Sequence, residues 1–191
     1  MSPSGSHRVC WLWPTLRDSL LAGGLVAVAG STAAQPPSRP LDIHFTPTRQ
    51  VVAEAMIDLA GTRADDVVYD LGSGDGRLVI LAAQRNGAQG VGFELQSSLV
   101  ALSRQSAIDA GVADRVRFVE RDLREADLAP ATVVLLYLST SLTRELTPKL
   151  LRELRPGARI VSHQFRLADR PPDRSVTVEG ADLYLWTVPP R

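Results

Sequence analysis

Residues 67–76 read VVYDLGSGDG, an apolar run that ends in Asp70 and leads into Gly72, Gly74 and Gly76, each separated by one residue. Glycines let a backbone approach a ligand closely and take positive φ where needed. Three ligand classes use such turns. A P-loop needs four residues between its glycines and then Gly-Lys-Ser/Thr, which this stretch lacks. A dinucleotide turn wants G-x-G-x-x-G, and Arg77 stands where its third glycine belongs. A pyrophosphate at the following helix N-terminus would also meet the carboxylates of Asp70 and Asp75, which is electrostatically poor. A cationic or zwitterionic ligand would be favoured by them.

S-adenosylmethionine is such a ligand, with a sulfonium, an α-amino group, a ribose and an adenine but no phosphate. Asp70 lies close enough to the turn to meet the ammonium, directly or through water. Glu94 ends the next strand, where a carboxylate can accept the ribose hydroxyls. Asp122 follows the third strand and could accept from the adenine amino group, with Leu95 and Leu123 packing on the ring. Each acid alone has a plainer reading: strand-end carboxylates cap turns, and an acid after the second strand also suits a dinucleotide. The combination favours S-adenosylmethionine.

The elements that must position these groups alternate. FTPTRQVVAEAMIDLA (45–60) reads as a helix that Thr46 can cap, with Pro47 in its first turn. Strands are expected at 67–71, 89–94, 115–119, 131–138 and 158–165, and helices at 76–86, 96–110 and 141–154, the last kinked or split by Pro148. Gly111 should end the helix over 96–110. Residues 174–178 and 182–188 leave no room for a crossover helix and read as an antiparallel hairpin. Strand–helix alternation with crossovers implies a doubly wound α/β domain.

Composition narrows the class. The chain has 191 residues, 45% of them hydrophobic, which suits one domain with a proper core. A formal net charge of zero is unlike the basic field of a dedicated nucleic-acid binder, so no nucleic-acid partner is expected. Cys10, His7, His44 and His163 offer no metal-ligand spacing, and no metal is expected.

Four segments then resemble one family. FTPTRQVVAEAM (45–56), YDLGSGDGR (69–77), ATVVLLYL (131–138) and LRPGARIVSHQF (154–165) are similar to class I methyltransferases, and more narrowly to the lysine methyltransferases of mitochondrial inner-membrane proteins and their bacterial relatives. That resemblance implies a Rossmann-like, seven-stranded sheet in the order 3-2-1-4-5-7-6, and methyl transfer from S-adenosylmethionine to a lysine amine. It implies a cofactor site of Asp70, Gly72, Gly74, Asp75, Gly76, Glu94, Leu95, Asp122 and Leu123, with Phe45, Thr46, Pro47 and Thr48 closing over it. Phe45 has a second reading, as a hydrophobic staple on the first helix. No catalytic base is visible and none is required. Tyr137, Leu138, Ser139 and His163 are candidates for the acceptor pocket. The fourth strand's end lacks the Asn/Asp-Pro-Pro-aromatic sequence that holds planar amide or base nitrogens. The acceptor is expected to be a protein, membrane-associated or not, with a small molecule as the alternative; a non-catalytic binding protein on the same fold is the other. A monomer is expected.

The N-terminus reads separately. Arg8 and Arg17 precede the apolar run SLLAGGLVAVAG (19–30), small residues (31–35) and a proline-rich stretch (36–40). These are the parts of a secretory signal peptide over 1–34, with a linker at 35–44 and the methyltransferase domain at 45–191. Export to the periplasm follows from that reading; an inner-membrane anchor or an inert leader on a cytoplasmic protein are the alternatives.

Overall fold

The apolar runs at 67–71, 133–136 and 159–163 form strands, and their side chains enter cores on both faces of the sheet. The computed structural model describes residues 45–190. The signal-peptide and linker readings of residues 1–44 lie outside the described residues, as does Arg191. The strands are β1 (Val67–Leu71), β2 (Gln89–Glu94), β3 (Val116–Glu120), β4 (Val133–Leu136), β5 (Arg159–His163), β6 (Arg174–Val178) and β7 (Ala181–Thr187). The helices are α1 (Gln50–Ala60), α2 (Arg77–Asn86), α3 (Ser97–Asp109) and α4 (Thr140–Glu153).

The sheet runs β3-β2-β1-β4-β5-β7-β6, the order the resemblance implies. Five strands are parallel; β7 pairs antiparallel with both β5 and β6. Strand order reverses between β1 and β4, which creates the crevice where open α/β sheets receive ligands. Alternation along β4 shows how the core divides. Val133 and Leu135 enter the cluster built with α1, α2 and α3, whereas Val134 and Leu136 enter the cluster built with α4. All four are fully buried, as a central parallel strand requires.

Several boundaries differ from expectation, each for a physical reason. The first helix starts at Gln50, so Pro47 is not in its first turn and Thr46 does not cap it; Arg49 is its N-cap, without a side-chain bond. Residues 45–48 are engaged elsewhere, as described below, and Phe45 is too far upstream to act as a staple. Pro148 neither splits nor ends α4, whose buried Leu142, Leu146 and Leu150 bind it to the sheet on both sides of the proline. β5 stops at His163 because Gln164 takes a φ of +71° and turns the chain. β4 stops at Leu136, which frees Tyr137 and Leu138 from the ladder.

Leu135 lies in the middle of the central strand with no exposed surface. Leu135→Ala is expected to cost about 2–5 kcal/mol, seen as a lower urea midpoint with an unchanged slope.

Candidate active site

The glycine turn owes its shape to β2. The amides of Gly72 and Ser73 both donate to the Phe93 carbonyl at 2.9 Å, and the Gly74 amide donates to Glu94 Oε2 at 3.0 Å. Folding back on the neighbouring strand this tightly needs φ of 90°, 52° and 80° at Gly72, Gly74 and Gly76, values that side-chain-bearing residues rarely adopt. At Gly74 space matters as well. A Cβ there would overlap the Phe45 ring.

Two carboxylates lie beside the turn. Asp70, at the end of β1, is 3% exposed. Burial, then the charges of Glu94 and Asp75, push its pKa up to about 8, and all three effects act in the same direction. Glu94 is fixed by three backbone amides: Oε1 accepts from Leu95 and Gln96 at 2.8 and 2.9 Å, and Oε2 from Gly74. An ionised carboxylate has about four acceptor sites, so roughly one remains for a ligand donor.

The other two acids are engaged. Asp75 accepts from Arg77 Nε at 2.9 Å and forms a 2.5 Å ion pair with its Nη2. Burial raises the Asp75 pKa, but Arg77's hydrogen bonds and charge outweigh it and hold the carboxyl below its usual value. Its charge therefore weighs less against a phosphate ligand than the sequence suggests; Asp70, held protonated near pH 7, favours a cation instead, because a cation beside it lets it ionise. Asp122 caps the short turn Leu123–Glu125 through the Arg124 amide at 2.8 Å and pairs with the Arg124 guanidinium at 3.1 Å.

Arg77 also ties down residues 45–48, the arm that leads into α1. Its Nη1 donates to the Thr48 carbonyl at 2.7 Å, which holds buried Thr48 against the turn while Phe45 lies across Gly74. Thr46 and Pro47 between them are exposed. On the other side of the turn, the Leu138 and Leu123 side chains stand over Gly72. Leu95 is half-buried beside Glu94.

Beyond Leu138 lies the end of β5. Tyr137 stacks on His163 with ring centroids 3.9 Å apart and planes 26° from parallel. His163 is buried, its Nδ1 has no partner, and burial followed by the charge of Arg49 lowers its pKa, so the ring is neutral near pH 7. Ser139 caps α4, accepting from the Leu142 amide at 3.4 Å, and its hydroxyl lies 3.0 Å from that of Ser141.

Residues 70–174 match the ANTKMT methyltransferase domain. A protein-lysine N-methyltransferase of Saccharolobus islandicus (strain REY15A) is 35% identical over 151 residues, covering 76% of this chain and 94% of the relative. The chain belongs to the ANTKMT methyltransferase family. The adenine nucleotide translocase lysine N-methyltransferase of Mus musculus is 39% identical over 134 residues, covering 70% of this chain and 57% of the relative. A crystal structure of an RNA methyltransferase from Salinibacter ruber, in complex with S-adenosyl-L-homocysteine, is 49% identical with a TM-score of 0.75, covering 76% of this chain and 95% of that one.

The structure of this methyltransferase adds residues that sequence reasoning missed. Arg77 was visible only as a departure from a dinucleotide turn, yet it joins Asp75 to the arm. Ser103 Oγ donates to the Gly74 carbonyl at 3.2 Å from α3, a contact with no local signal. Gly92, inside β2, carries a local signal: a glycine in a strand marks close approach, and a Cβ there would lie 2.6 Å from Ser73 Oγ.

The raised Asp70 pKa fixes a sign. In the unfolded chain an aspartate loses its proton near pH 4, whereas the folded chain holds it up to about 8. Between these values the folded state binds more protons, so stability falls as pH rises. Ligand-free protein is expected to lose urea resistance from about pH 5 to 8, and Asp70→Asn is expected to flatten that fall.

Proposed function

We propose that this chain transfers a methyl group from S-adenosylmethionine to the side-chain amine of a lysine in a protein. The observation that carries the cofactor part is the buried carboxyl of Asp70 beside the three-glycine turn, its pKa raised by burial and by neighbouring acids. A dinucleotide offers this position negative charge; S-adenosylmethionine offers it an ammonium. In this reading Gly72, Gly74 and Gly76 give the backbone approach, and Asp70 receives the ammonium. Glu94 takes a ribose hydroxyl with its remaining acceptor site. Leu95 and Leu123 flank the adenine, whose amino group Asp122 accepts beside its bond to Arg124. The arm with Phe45 and Thr48 closes the site, held by Arg77.

S-adenosylmethionine, when bound, supplies a methyl carbon that an amine lone pair attacks as the carbon–sulfur bond breaks. The chain's own task is alignment and exclusion of water, which supply much of the rate in such displacements. The attacking lysine must be neutral, although its unperturbed pKa is about 10.4. An apolar, aromatic wall of Leu138, Tyr137 and neutral His163 disfavours the ammonium and so helps it shed its proton to water. No base is needed beyond that.

The lysine acceptor is supported by the names of the Saccharolobus and mouse relatives. The Salinibacter protein's name points to RNA instead. The zero formal net charge and the YLSTS sequence after β4, in place of Asn/Asp-Pro-Pro-aromatic, favour protein for this chain. We extend the proposal to a membrane-associated acceptor, a monomeric enzyme and an exported chain. N-terminal sequencing of the native protein from fractionated cells tests export, and an intact Met1 in the cytosolic fraction would contradict it.

Incubating the purified chain with methyl-labelled S-adenosylmethionine and cell extract, with and without membranes, tests the reaction. Label is expected in a protein band, as methylated lysine on hydrolysis. Asp70→Asn is expected to reduce it about tenfold or more at sub-saturating cofactor, the scale of a lost charge-assisted bond. Label confined to RNA or to small molecules would overturn the lysine reading.

A further inference from the structure

Opposite the glycine turn, the same sheet end carries a second group of residues. Glu179 and Gly180 join β6 to β7, with Val178 opposite Ala181. β7 in turn runs beside β5, with Leu183 opposite His163. The hairpin turn therefore stands at the end of the sheet where Tyr137 stacks on His163. A two-residue hairpin turn with positive φ at both central positions favours Asn, Asp or Gly at the first of them. Here that residue is a glutamate at φ +48°, followed by Gly180 at +79°. Gln164, directly after His163, is also at positive φ, and its amide donates to the Asp182 carbonyl at 2.7 Å. Two side-chain-bearing residues in this conformation thus border the end of β5, and such backbone strain collects at ligand clamps.

Glu179 holds a cation. Arg49 Nη1 meets its carboxylate at 2.7 Å, and Nη2 donates to its carbonyl at 2.7 Å. Arg49 directly follows Thr48, the residue tied to Arg77, so its guanidinium stands between the cofactor arm and the hairpin. Its charge is felt at His163. Both partners are more than half exposed, at 56% and 55%, so water screens the pair and another cation can replace Arg49 at little cost.

We propose that Glu179 is the specificity residue that meets the ammonium of the acceptor lysine on its way in, and that Arg49 occupies its carboxylate until the substrate displaces it. The inference rests on the lysine reading of the preceding subsection. A guanidinium fork and a compact ammonium are both cationic N–H donors, so one exposed carboxylate can accept from either in turn. The displaced Arg49 stays on its helix end, and the lysine loses its proton only later, on reaching the aromatic wall.

The probe is the protein band that the wild-type chain labels in extract, supplied as a dilution series of the fraction that contains it. Glu179→Gln is expected to raise the half-saturating amount about three- to fivefold with the maximal rate held, the scale of an exposed ion pair. Glu179→Asn, which suits positive φ, is expected to do the same, because the carboxylate and not the turn is what matters. Arg49→Gln is expected to lower the half-saturating amount. Calorimetric binding of S-adenosylhomocysteine is expected to be unchanged in all three. Wild-type behaviour of Glu179→Asn, or shifts of the same sign for Glu179→Gln and Arg49→Gln, would make the pair a structural clamp and overturn the proposal. Weakened cofactor binding in Glu179→Asn would assign the pair to the cofactor arm and overturn it too. A wild-type chain that labels no protein removes the lysine reading and this inference together, a result distinct from a labelled band that ignores Glu179.

Discussion

Asp70 is a carboxyl at the centre of the sheet's ligand end, buried, with two other carboxylates as its charged neighbours. A protein selected for stability alone would put an asparagine or an apolar residue there, since an unpaired buried charge is costly. The surrounding architecture concentrates that cost in one place. Asp75 is engaged by Arg77, Asp122 by Arg124, and Glu94 by three backbone amides. At Asp70, burial and the neighbouring charges act together to raise the pKa instead. A positive charge brought beside Asp70 would therefore relieve more there than at the other three acids.

The arm and the turn form one mechanical unit because Arg77 touches both. Its guanidinium reaches Asp75 inside the turn and the Thr48 carbonyl on the arm, while Phe45 fills the space that glycine leaves at position 74. Leu138 stands over Gly72 on the other side of the turn and precedes α4. Its neighbour Tyr137 turns to the other side, onto His163. Two consecutive residues freed from the end of β4 thus pack on different partners, Leu138 on the glycine turn and Tyr137 on the end of β5.

How much of this was legible in the sequence depends on how local each feature is. The strands were readable because apolar runs bounded by Gly, Asp and Asn are local signals; β1, β2 and β6 fall on the expected residues. The closure of residues 45–48 over the turn came from family resemblance, whereas local propensity placed them in a helix. Long-range contacts with Arg77 and Gly74 hold those residues in the extended arm. Asp75 and Asp122 were identified as site residues, but their arginine partners two positions on were not, and those partners change what the acids can do. Arg49 and Glu179 are 130 residues apart, so no spacing rule could join them.

If Asp70 receives a cationic ligand, binding is linked to the loss of its proton. Titrating the chain with S-adenosylmethionine near pH 7 in buffers of different ionisation heat measures the protons exchanged. A carboxyl held protonated by its surroundings must ionise to meet an ammonium, so wild type is predicted to release a proton on binding and Asp70→Asn to release none from this position. Binding without proton release in the wild type, or no binding at all, would mean that Asp70 does not receive the ammonium.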